Sequence, residues 1–329
     1  MATLITGGAG FVGLAIAERL VADGERAVLF DIAAPPADSL ARPELAGVAY
    51  VRGDIRQAAD VIGALASETI DRVIHTAAVT PNQQRERDDP GGIVDVNIGG
   101  TVNLLACAAV RPSVQRVVVL SSVAVYGFAR PAPSGLFEED LSNPAPAALY
   151  GITKLAAEQA ALRIGELHNL DVRVVRLGPV YGRWERATGV RDALSPHYQV
   201  LQAALSGSEA VLPRAMRADW VYSRDAAAGI ARVCAGDRLR HLVYHVGGGK
   251  VTDLPAWCRL IAAQFPSFRW RIADTGEEPS VVYGLTADRA PLGLARLTRD
   301  TGFAPAYSLE MAAADYLAWM ADQDMKGAR

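Results

Sequence analysis

TLITGGAGFVG, at residues 3–13, decides the fold. A strand-like run ends at Thr6, glycines follow at positions 7, 8, 10 and 13, and an apolar-faced helical pattern comes directly after the turn. Glycines at these spacings let the turn close, bring backbone amides near a pyrophosphate and let the helix pack on the strand. The start of a helix also favours negative charge. The stretch therefore predicts a dinucleotide-binding turn with contacts from Gly7, Gly10, Phe11, Val12 and Gly13.

Outward from this turn, short apolar runs alternate with helix-length amphipathic patterns. The runs lie at residues 3–6, 27–31, 49–52, 72–75, 116–121 and 172–177. Parallel strands need crossover helices, so this rhythm predicts an α/β protein with a Rossmann-type doubly wound parallel sheet. We expect an NAD-binding domain over residues 1–177. A smaller, mainly substrate-binding domain is expected over 178–329, with some segments returning to the sheet.

The second half has a looser pattern. It predicts helices near residues 196–206 and 224–235, a strand near 242–246, and a helix that begins after Asp253 and runs to about 264. Asp253 is expected to cap that last helix, because a short carboxylate side chain can accept from the unpaired amides of its first turn.

Asp31 ends the second predicted strand, where a carboxylate can accept hydrogen bonds from the adenosine ribose. A carboxylate repels a 2′-phosphate, and the following Ile32, Ala33 and Ala34 supply no arginine to attract one. NAD is therefore the predicted cofactor in preference to NADP.

Composition narrows the class of protein. The chain has 329 residues, 50% of them hydrophobic, and a formal net charge of -3, which allows a large core and gives no reason to expect nucleic acid as a partner. We expect no membrane span and no secretion signal, since no apolar stretch reads as long enough and a strand begins almost at Met1. Cys107, Cys234 and Cys258 lack CxxC spacing and predict buried thiols, no metal site and a cytoplasmic location.

A serine, a tyrosine and a lysine form the candidate catalytic group. Strand five is followed by Ser122, and Tyr150 and Lys154 lie four residues apart on one face of a helical pattern. Hydride transfer at a carbon that bears a hydroxyl requires a group to move the hydroxyl proton, and a phenol with an ordinary pKa of about 10 is a poor base near neutrality. We expect the Lys154 ammonium to favour the Tyr150 phenolate and to bind the nicotinamide ribose, while Ser122 holds the substrate oxygen.

Together these motifs resemble the extended short-chain dehydrogenase/reductase superfamily, specifically the NAD-dependent epimerase/dehydratase family. The resemblance covers residues 3–182 and rests on TGGAGFVG, Asp31, GDI, HTAA, SSVAVYG, YGITK and RLGPVYG, with a looser match at 218–222. It implies a homodimer and Ser122, Tyr150 and Lys154 as the catalytic triad. Further NAD contacts are expected from Asp54, Ile55, Ala77, Ala78 and Asn97.

Departures from the family pattern bear on the reaction. Family 4,6-dehydratases carry Asp-Glu where Val123 and Ala124 stand, and fucose-synthase-like enzymes carry cysteine at Val123, so both chemistries are disfavoured. Pro179 replaces an asparagine that helps to hold the diphosphate of a nucleotide sugar, and Ala218 replaces an arginine, with Arg217 one residue away. These changes weaken the expectation of a nucleotide-linked substrate without removing it.

The leading hypothesis is an NAD-dependent oxidoreductase that interconverts a hydroxyl and a ketone on a sugar or sugar acid. The alternative is a nucleotide-sugar 4-epimerase with tightly bound, recycling NAD, and a remote alternative is a non-catalytic NAD-binding sensor or scaffold. An anionic substrate is expected to meet loop arginines, namely Arg85, Arg87, Arg183, Arg186, Arg191 and Arg217. The candidate substrate-binding residues are Thr80, Ser122, Val123, Tyr150, Arg183 and Arg217.

Overall fold

The apolar runs form strands and the amphipathic stretches form helices. The computed structural model describes residues 1–37, 39–189, 191–284 and 287–327, with side chains through residue 322. The strands are β1 (Ala2–Thr6), β2 (Ala27–Asp31), β3 (Ala49–Arg52), β4 (Ile70–His75), β5 (Arg116–Ser122), β6 (Asp171–Leu177), β7 (Val180–Tyr181), β8 (Ala210–Leu212), β9 (Val221–Tyr222), β10 (Val243–Val246) and β11 (Trp270–Ile272).

The α-helices lie mostly between strands. They are α1 (Phe11–Ala22), α2 (Ala58–Ala66), α3 (Gln83–Asp88), α4 (Pro90–Val94), α5 (Gly100–Ala109), α6 (Leu149–His168), α7 (Pro196–Ser206), α8 (Ser223–Ala235), α9 (Leu254–Gln264), α10 (Ala295–Thr301) and α11 (Leu309–Gly327). A π-helical turn, Asp95–Gly99, joins α4 to α5. The predicted cap of α9 is present, since the Asp253 carboxylate accepts from the Ala256 amide at 2.8 Å.

Seven strands form one parallel sheet in the order β10-β6-β5-β4-β1-β2-β3. This arrangement confirms the predicted Rossmann-type doubly wound sheet. β10 comes from the second half of the chain and pairs with β6, so the expected return of later segments to the sheet is also confirmed. The proposed boundary between residues 177 and 178 stays a prediction.

Both faces of the sheet are apolar, because successive residues of a strand point to opposite sides. Ile5 and Leu29 belong to the hydrophobic cluster on the side of α1 and α8, whereas Leu4 and Val28 belong to the cluster on the side of α2 and α5. The first cluster continues into the second half of the chain, where it includes Trp257. The two halves therefore share one core.

Among the described residues, one helical stretch has the dimensions of a membrane span. Pro90–Ala109 is 20 residues long with a mean hydropathy of 1.4, contrary to our expectation that no stretch is long enough. Leu104 and Leu105 within it are fully buried against the sheet. Core helices meet the same criteria of length and composition.

All seven parallel strands present their carboxyl ends at the same edge. The turn at Gly7 follows β1, Asp31 ends β2, His75 ends β4 and Ser122 ends β5. The direction of winding reverses between β1 and β4, and open α/β sheets bind ligands in the crevice at such a point.

Candidate active site

The turn after β1 leaves no room for side chains. Gly7 has a φ of +66°, and a Cβ at this position would lie 2.6 Å from the Ala77 amide nitrogen. A Cβ on Gly13 would lie 2.5 Å from the Gly7 carbonyl oxygen. No side chain caps α1 at Gly10. The backbone of this turn and the start of α1 thus form a cradle suited to a phosphate group.

Asp31 lies directly beside this cradle. Its carboxylate accepts from the Ala9 amide at 3.0 Å and from the Ala33 amide at 3.1 Å. Burial raises the pKa of Asp31, while these backbone hydrogen bonds oppose the shift. The position at the end of β2 agrees with the predicted contact to the adenosine ribose.

Asp54 and Ile55, the next predicted cofactor contacts, lie after β3. Asp54 is paired with Arg56 at 2.5 Å, and this guanidinium holds the pKa of the Asp54 carboxyl below its ordinary value. Ile55 is buried against Gly100 at the start of α5. Their contacts to a cofactor stay predictions.

Asn97 fixes the segment that follows β4. Its amide accepts from the Val79 amide at 2.8 Å, donates to the Val79 carbonyl at 3.0 Å and donates to the Thr153 hydroxyl at 3.0 Å. Asn97 was predicted to contact the cofactor, but the structure directs its side chain to these two residues. It positions Thr80, the neighbour of Val79, relative to α6. Ala77 and Ala78, which lie between Gly7 and this segment, are partly buried.

Ser122, Thr80 and Tyr150 converge at the carboxyl edge. The Ser122 and Thr80 side chains lie beside the phenol of Tyr150, which is in the first turn of α6, close enough to lower its pKa. Burial raises the pKa of Tyr150, and the two hydroxyls and the charge of Arg191 oppose that shift. Ser122 also accepts from the Ala124 amide at 3.1 Å, which fixes its rotamer. Val123 is buried beside Ser122.

Lys154 lies one helical turn after Tyr150 and is 3% exposed. Burial lowers the pKa of Lys154 to about 8, and the Glu158 carboxylate partly opposes this. Within the described part of the chain, its ammonium makes no hydrogen bond. The cation is thus poised for an acceptor that the polypeptide does not supply.

The structure adds a second cation near Tyr150. The charge of Arg191 opposes the rise in the pKa of Tyr150, and the expected effect of the Lys154 ammonium on the phenolate stays a prediction. The Lys154 ammonium also acts on buried His75, whose pKa falls to about 3 mainly through burial. Tyr150 and Lys154 lie four residues apart on one face of α6, but this spacing does not direct both side chains to the same neighbours.

Arg191 reaches Tyr150 from a loop before α7. Its guanidinium lies 3.3 Å from the buried Glu185 carboxylate and 5.1 Å from the centre of the Phe11 ring. The charges of Arg191 and Arg289 both act on Tyr283, which is also close enough to influence Tyr150. Arg191 and Tyr283 therefore lie near the reacting phenol, and Arg289 lies near Tyr283. Sequence reasoning assigned no individual role to Arg191 and did not single out Arg289, since both come from irregular segments.

The other arginines of this group lie elsewhere, and Arg85 and Arg87 belong to α3 rather than to a loop. Arg183, predicted to bind substrate, is held by Glu18 at 3.1 Å and Asp315 at 2.5 Å. Arg217 is exposed, and its carbonyl accepts from the Arg289 amide at 3.3 Å. Arg85 pairs with Asp192 at 3.3 Å. The structure thus directs Arg183 away from the Tyr150 group, because carboxylates of α1 and α11 engage its guanidinium.

Comparison with known proteins agrees with the fold and with the geometry of the site. The profile of the NAD dependent epimerase/dehydratase family matches residues 3–247. The chain belongs to this family. The family is NAD dependent, in agreement with the predicted cofactor NAD.

Relatives within the epimerase/dehydratase family include several 4-epimerases. The chain is 33% identical over 190 residues to UDP-glucuronate 4-epimerase 3 of Arabidopsis thaliana, covering 56% of this chain and 43% of the relative. It is 36% identical over 185 residues to UDP-glucose 4-epimerase of Mycolicibacterium smegmatis, covering 55% and 57%. It is 25% identical over 355 residues to dTDP-L-rhamnose 4-epimerase of Burkholderia thailandensis, covering 97% and 95%. The match thus spans less than half of the Arabidopsis relative.

Solved structures of the epimerase/dehydratase family share the fold. UDP-glucose 4-epimerase from Thermotoga maritima with UDP-glucose superposes with a TM-score of 0.80 at 20% identity, covering 98% of this chain and 99% of that one. UDP-glucuronic acid 4-epimerase from Bacillus cereus, in complex with UDP-glucuronic acid and NAD, gives 0.77 at 20% identity, covering 97% and 100%.

The residues present fit NAD. The cradle between Gly7 and Gly13 would hold its diphosphate, and Asp31 would accept from its adenosine ribose. Lys154, whose buried ammonium makes no hydrogen bond to the described residues, would donate to the nicotinamide ribose. When bound, NAD supplies a nicotinamide ring that can take up and return a hydride.

Proposed function

We propose that this protein is an NAD-dependent 4-epimerase of a nucleotide sugar. The observation that carries the proposal is the position of Tyr150, with Ser122 and Thr80 beside its phenol, one helical turn from Lys154 and at the same sheet edge as the glycine cradle. Relatives that match over 56% and 55% of this chain bear 4-epimerase names. Val123 and Ala124 lack the acid and base that elimination of water requires, so a 4,6-dehydratase is disfavoured.

Each protein group has a defined part in this reaction. Ser122 and Thr80 hold the hydroxyl oxygen of the sugar near Tyr150. The Tyr150 phenolate accepts the hydroxyl proton as the carbon loses its hydride, which leaves a ketone. The phenol returns the proton when the hydride is delivered to the opposite face of that carbon. Arg191 keeps the phenolate accessible, because its positive charge opposes the rise in the pKa of Tyr150.

An anionic substrate fits the surroundings of Tyr150. Arg191 and Arg289 bring two guanidinium groups to Tyr283, and Arg191 also acts on the catalytic phenol. Guanidinium groups suit carboxylates and phosphates, so a uronate or the diphosphate of a nucleotide sugar would compensate them. The same pair would serve a sugar-acid dehydrogenase, the second candidate. Pro179, which replaces the family asparagine at the diphosphate, favours that second candidate.

The deciding experiment measures cofactor and product together. Freshly purified protein is denatured and its released NAD(H) is quantified per chain, and intact protein is incubated with UDP-glucuronic acid, UDP-glucose or dTDP-L-rhamnose. Near-stoichiometric nucleotide and a C4 epimer seen by NMR, without net NADH, would support the epimerase. Net NADH formation with a sugar acid would establish the dehydrogenase. Bound NAD without either product would favour the non-catalytic alternative.

The Tyr150→Phe variant tests the assigned acid/base. Loss of the phenolic hydroxyl should lower kcat by roughly 100-fold or more, the usual range for a proton-transfer group. NADH binding should remain within about threefold, because Phe keeps the ring. Tyr244→Phe is the matched control, since its hydroxyl binds Asp300 at 2.7 Å near the outer sheet edge. Full activity in Tyr150→Phe would exclude this mechanism.

We also propose a homodimer and a cytoplasmic location. Val102 on α5 and Ile152 on α6 are 37% and 47% exposed, and α5 and α6 pack side by side. Apolar side chains there could be covered by a second copy of the chain. Cys107, Cys234 and Cys258 are buried and unpaired, which suits a reducing compartment. Light scattering of Val102→Glu should show monomers where the parent shows dimers.

A further inference from the structure

The loop between β7 and α7 returns to the glycine cradle. We call its described residues, 182–189 and 191–195, the return loop. Glu185, which is fully buried, accepts from the Ser195 amide and hydroxyl, both at 2.6 Å, and pairs with Arg191. Ser195 in turn caps α7 by accepting from the Tyr198 amide at 3.1 Å. These contacts make the position of the return loop part of the packed structure.

Arg186 of the return loop contacts the cradle directly. Its Nη2 donates to the carbonyl of Ala9 at 2.7 Å, across 177 positions of sequence. Ala9 also donates its amide to the Asp31 carboxylate, so all three residues meet at one point. The sequence placed Arg186 among arginines at the substrate mouth, but it is Arg191, and not Arg186, whose charge acts on Tyr150. Arg186 therefore belongs to the cofactor side.

One nitrogen of Arg186 lacks an acceptor. Its Nη1 is buried, and no hydrogen-bond partner lies within reach among the described residues. Asp31 acts on Arg186 through its charge, yet no ion pair within 4.0 Å joins them in the part of the chain that is described. A buried N–H of a cation without an acceptor is costly, so an acceptor is expected when the site is filled.

The surroundings identify the chemistry of that acceptor. The amides at the start of α1 attract an anion, whereas Asp31 attracts ribose hydroxyls on its own side. A phosphate oxygen between the cradle and the ribose would meet the free Nη1 of Arg186 with a charge-assisted hydrogen bond. We propose that Arg186 is a cofactor-binding residue that donates to the diphosphate of NAD. The inference depends on the cofactor of the family and not on the sugar proposed above.

This contact would hold the dinucleotide from both halves of the chain. The cradle belongs to β1 and α1, whereas Arg186 comes from the return loop beyond β7. Retention of the cofactor through successive oxidation and reduction is what a recycling epimerase needs. Loss of the contact should therefore appear mainly as faster dissociation of the nucleotide.

The test compares ligands with and without the diphosphate. Arg186→Met and Arg186→Lys are prepared with bound nucleotide exchanged out, and Kd is measured by calorimetry for NADH, ADP and adenosine. Removal of a charge-assisted hydrogen bond should weaken NADH and ADP roughly 10- to 100-fold in Arg186→Met. Adenosine, which has no phosphate, should change by less than about threefold. Arg186→Lys should recover part of the loss, since it keeps the charge.

Arg163→Met is the matched control, because Arg163 is an exposed arginine on α6 whose side chain is 62% accessible. It should bind all three ligands as the parent does. An equal loss for ADP and adenosine in Arg186→Met would overturn the proposal and make Arg186 a support for Ala9. Unchanged binding would leave Arg186 without a role toward the cofactor. Failure of the sugar assays would not affect these outcomes, since no sugar is present.

Discussion

Tyr150 and Lys154 lie one turn apart on α6 but have different neighbours. The phenol faces Ser122, Thr80 and Arg191, where a substrate oxygen would bind. The ammonium is buried near His75 and Glu158 and makes no hydrogen bond to the described residues. These neighbours fit the proposed roles, in which Tyr150 moves a proton of the substrate and Lys154 binds the cofactor.

The charge of Lys154 predicts how NADH binding depends on pH. Its pKa of about 8 lies below the ordinary 10.5, so the ammonium is present below pH 8 and is lost as the pH rises through that value. A neutral amine donates a weaker hydrogen bond to ribose. The Kd for NADH should therefore rise roughly 3- to 10-fold between pH 7 and pH 9, as fluorescence titration would show.

Lys154→Met is the control for this pH dependence. It should bind NADH weakly at both pH values, without the transition. A parent protein whose Kd stays constant over this range would contradict the assignment of Lys154 to the cofactor.

At the scale of elements, two separate constraints require glycine in the turn between β1 and α1. Gly7 needs a positive φ, and its missing Cβ makes room for the backbone of Ala77. Gly24, after α1, has a similar φ of +76° but open space around the Cβ position. A comparison of Gly7 with Gly24 therefore separates the effect of backbone strain from the effect of crowding at the Cβ position.

Gly7→Ala should therefore cost more than Gly24→Ala. Gly24→Ala should lower the free energy of unfolding by about 1–2 kcal/mol, the cost of a left-handed conformation for an L-residue. Gly7→Ala should add a clash with Ala77 and weaken NADH binding at least roughly tenfold through displacement of the cradle. Urea denaturation and NADH titration of both variants would check this. Equal effects on binding would mean that crowding at Gly7 is unimportant.

A buried ion pair connects α6 to the sheet. Glu158 and Arg176 lie 2.5 Å apart with side-chain exposures of 0% and 5%, and Arg176 also donates to the Tyr126 hydroxyl at 2.9 Å. The phenol of Tyr126 lies 2.6 Å from the His245 ring. This connected group links α6, β6 and β10 beneath the catalytic residues.

Glu158→Gln should destabilise the protein strongly. It leaves the Arg176 charge buried without its carboxylate, which typically costs about 3–5 kcal/mol in the free energy of unfolding. Because the Glu158 charge raises the pKa of Lys154, the pH transition in NADH binding should also move to lower pH. Glu68→Gln is the control, since its partner Arg26 is 68% exposed and the pair should contribute about 1 kcal/mol at most. A loss below about 1 kcal/mol in Glu158→Gln would contradict this account.

At the scale of the whole molecule, charged contacts join the first helix to the last. Asp315 of α11 pairs with Arg183 at 2.5 Å and Arg224 at 3.0 Å, and it accepts from the Tyr222 hydroxyl at 2.6 Å. Arg183 continues to Glu18 of α1. α1, the return loop, α8 and α11 thus meet at one polar cluster beside the shared core.

Asp315→Asn should weaken the polar cluster that joins α1 to α11. The amide keeps the shape of the side chain but removes the charge between two arginines, so unfolding should become easier by about 1.5–3 kcal/mol. Chemical denaturation would measure the loss, with Glu166→Gln as the control because its pair with Arg163 is exposed. An effect equal to that of the control would show that the cluster does not hold the two halves together.

The sequence by itself determined the parts that depend on local pattern. Alternation of apolar runs and helices identified the parallel sheet, because parallel strands need crossovers. The glycine spacing identified the cradle, since no other residue fits positions such as Gly7. The combination of Ser122, Tyr150 and Lys154 identified the catalytic group, because their spacing relative to predicted strands and helices brings them to one edge.

Only the tertiary structure decided which distant charges meet. Arg183, Arg186 and Arg191 lie within nine positions of each other, yet they go to Asp315, to Ala9 and to the surroundings of Tyr150. A loop has no repeating geometry from which the direction of a side chain can be read. The directions of its side chains follow from packing, which here depends on buried Glu185 and on the return of the loop to the cradle. The sequence thus predicted the catalytic group, and the fold separated the three arginines by their contacts.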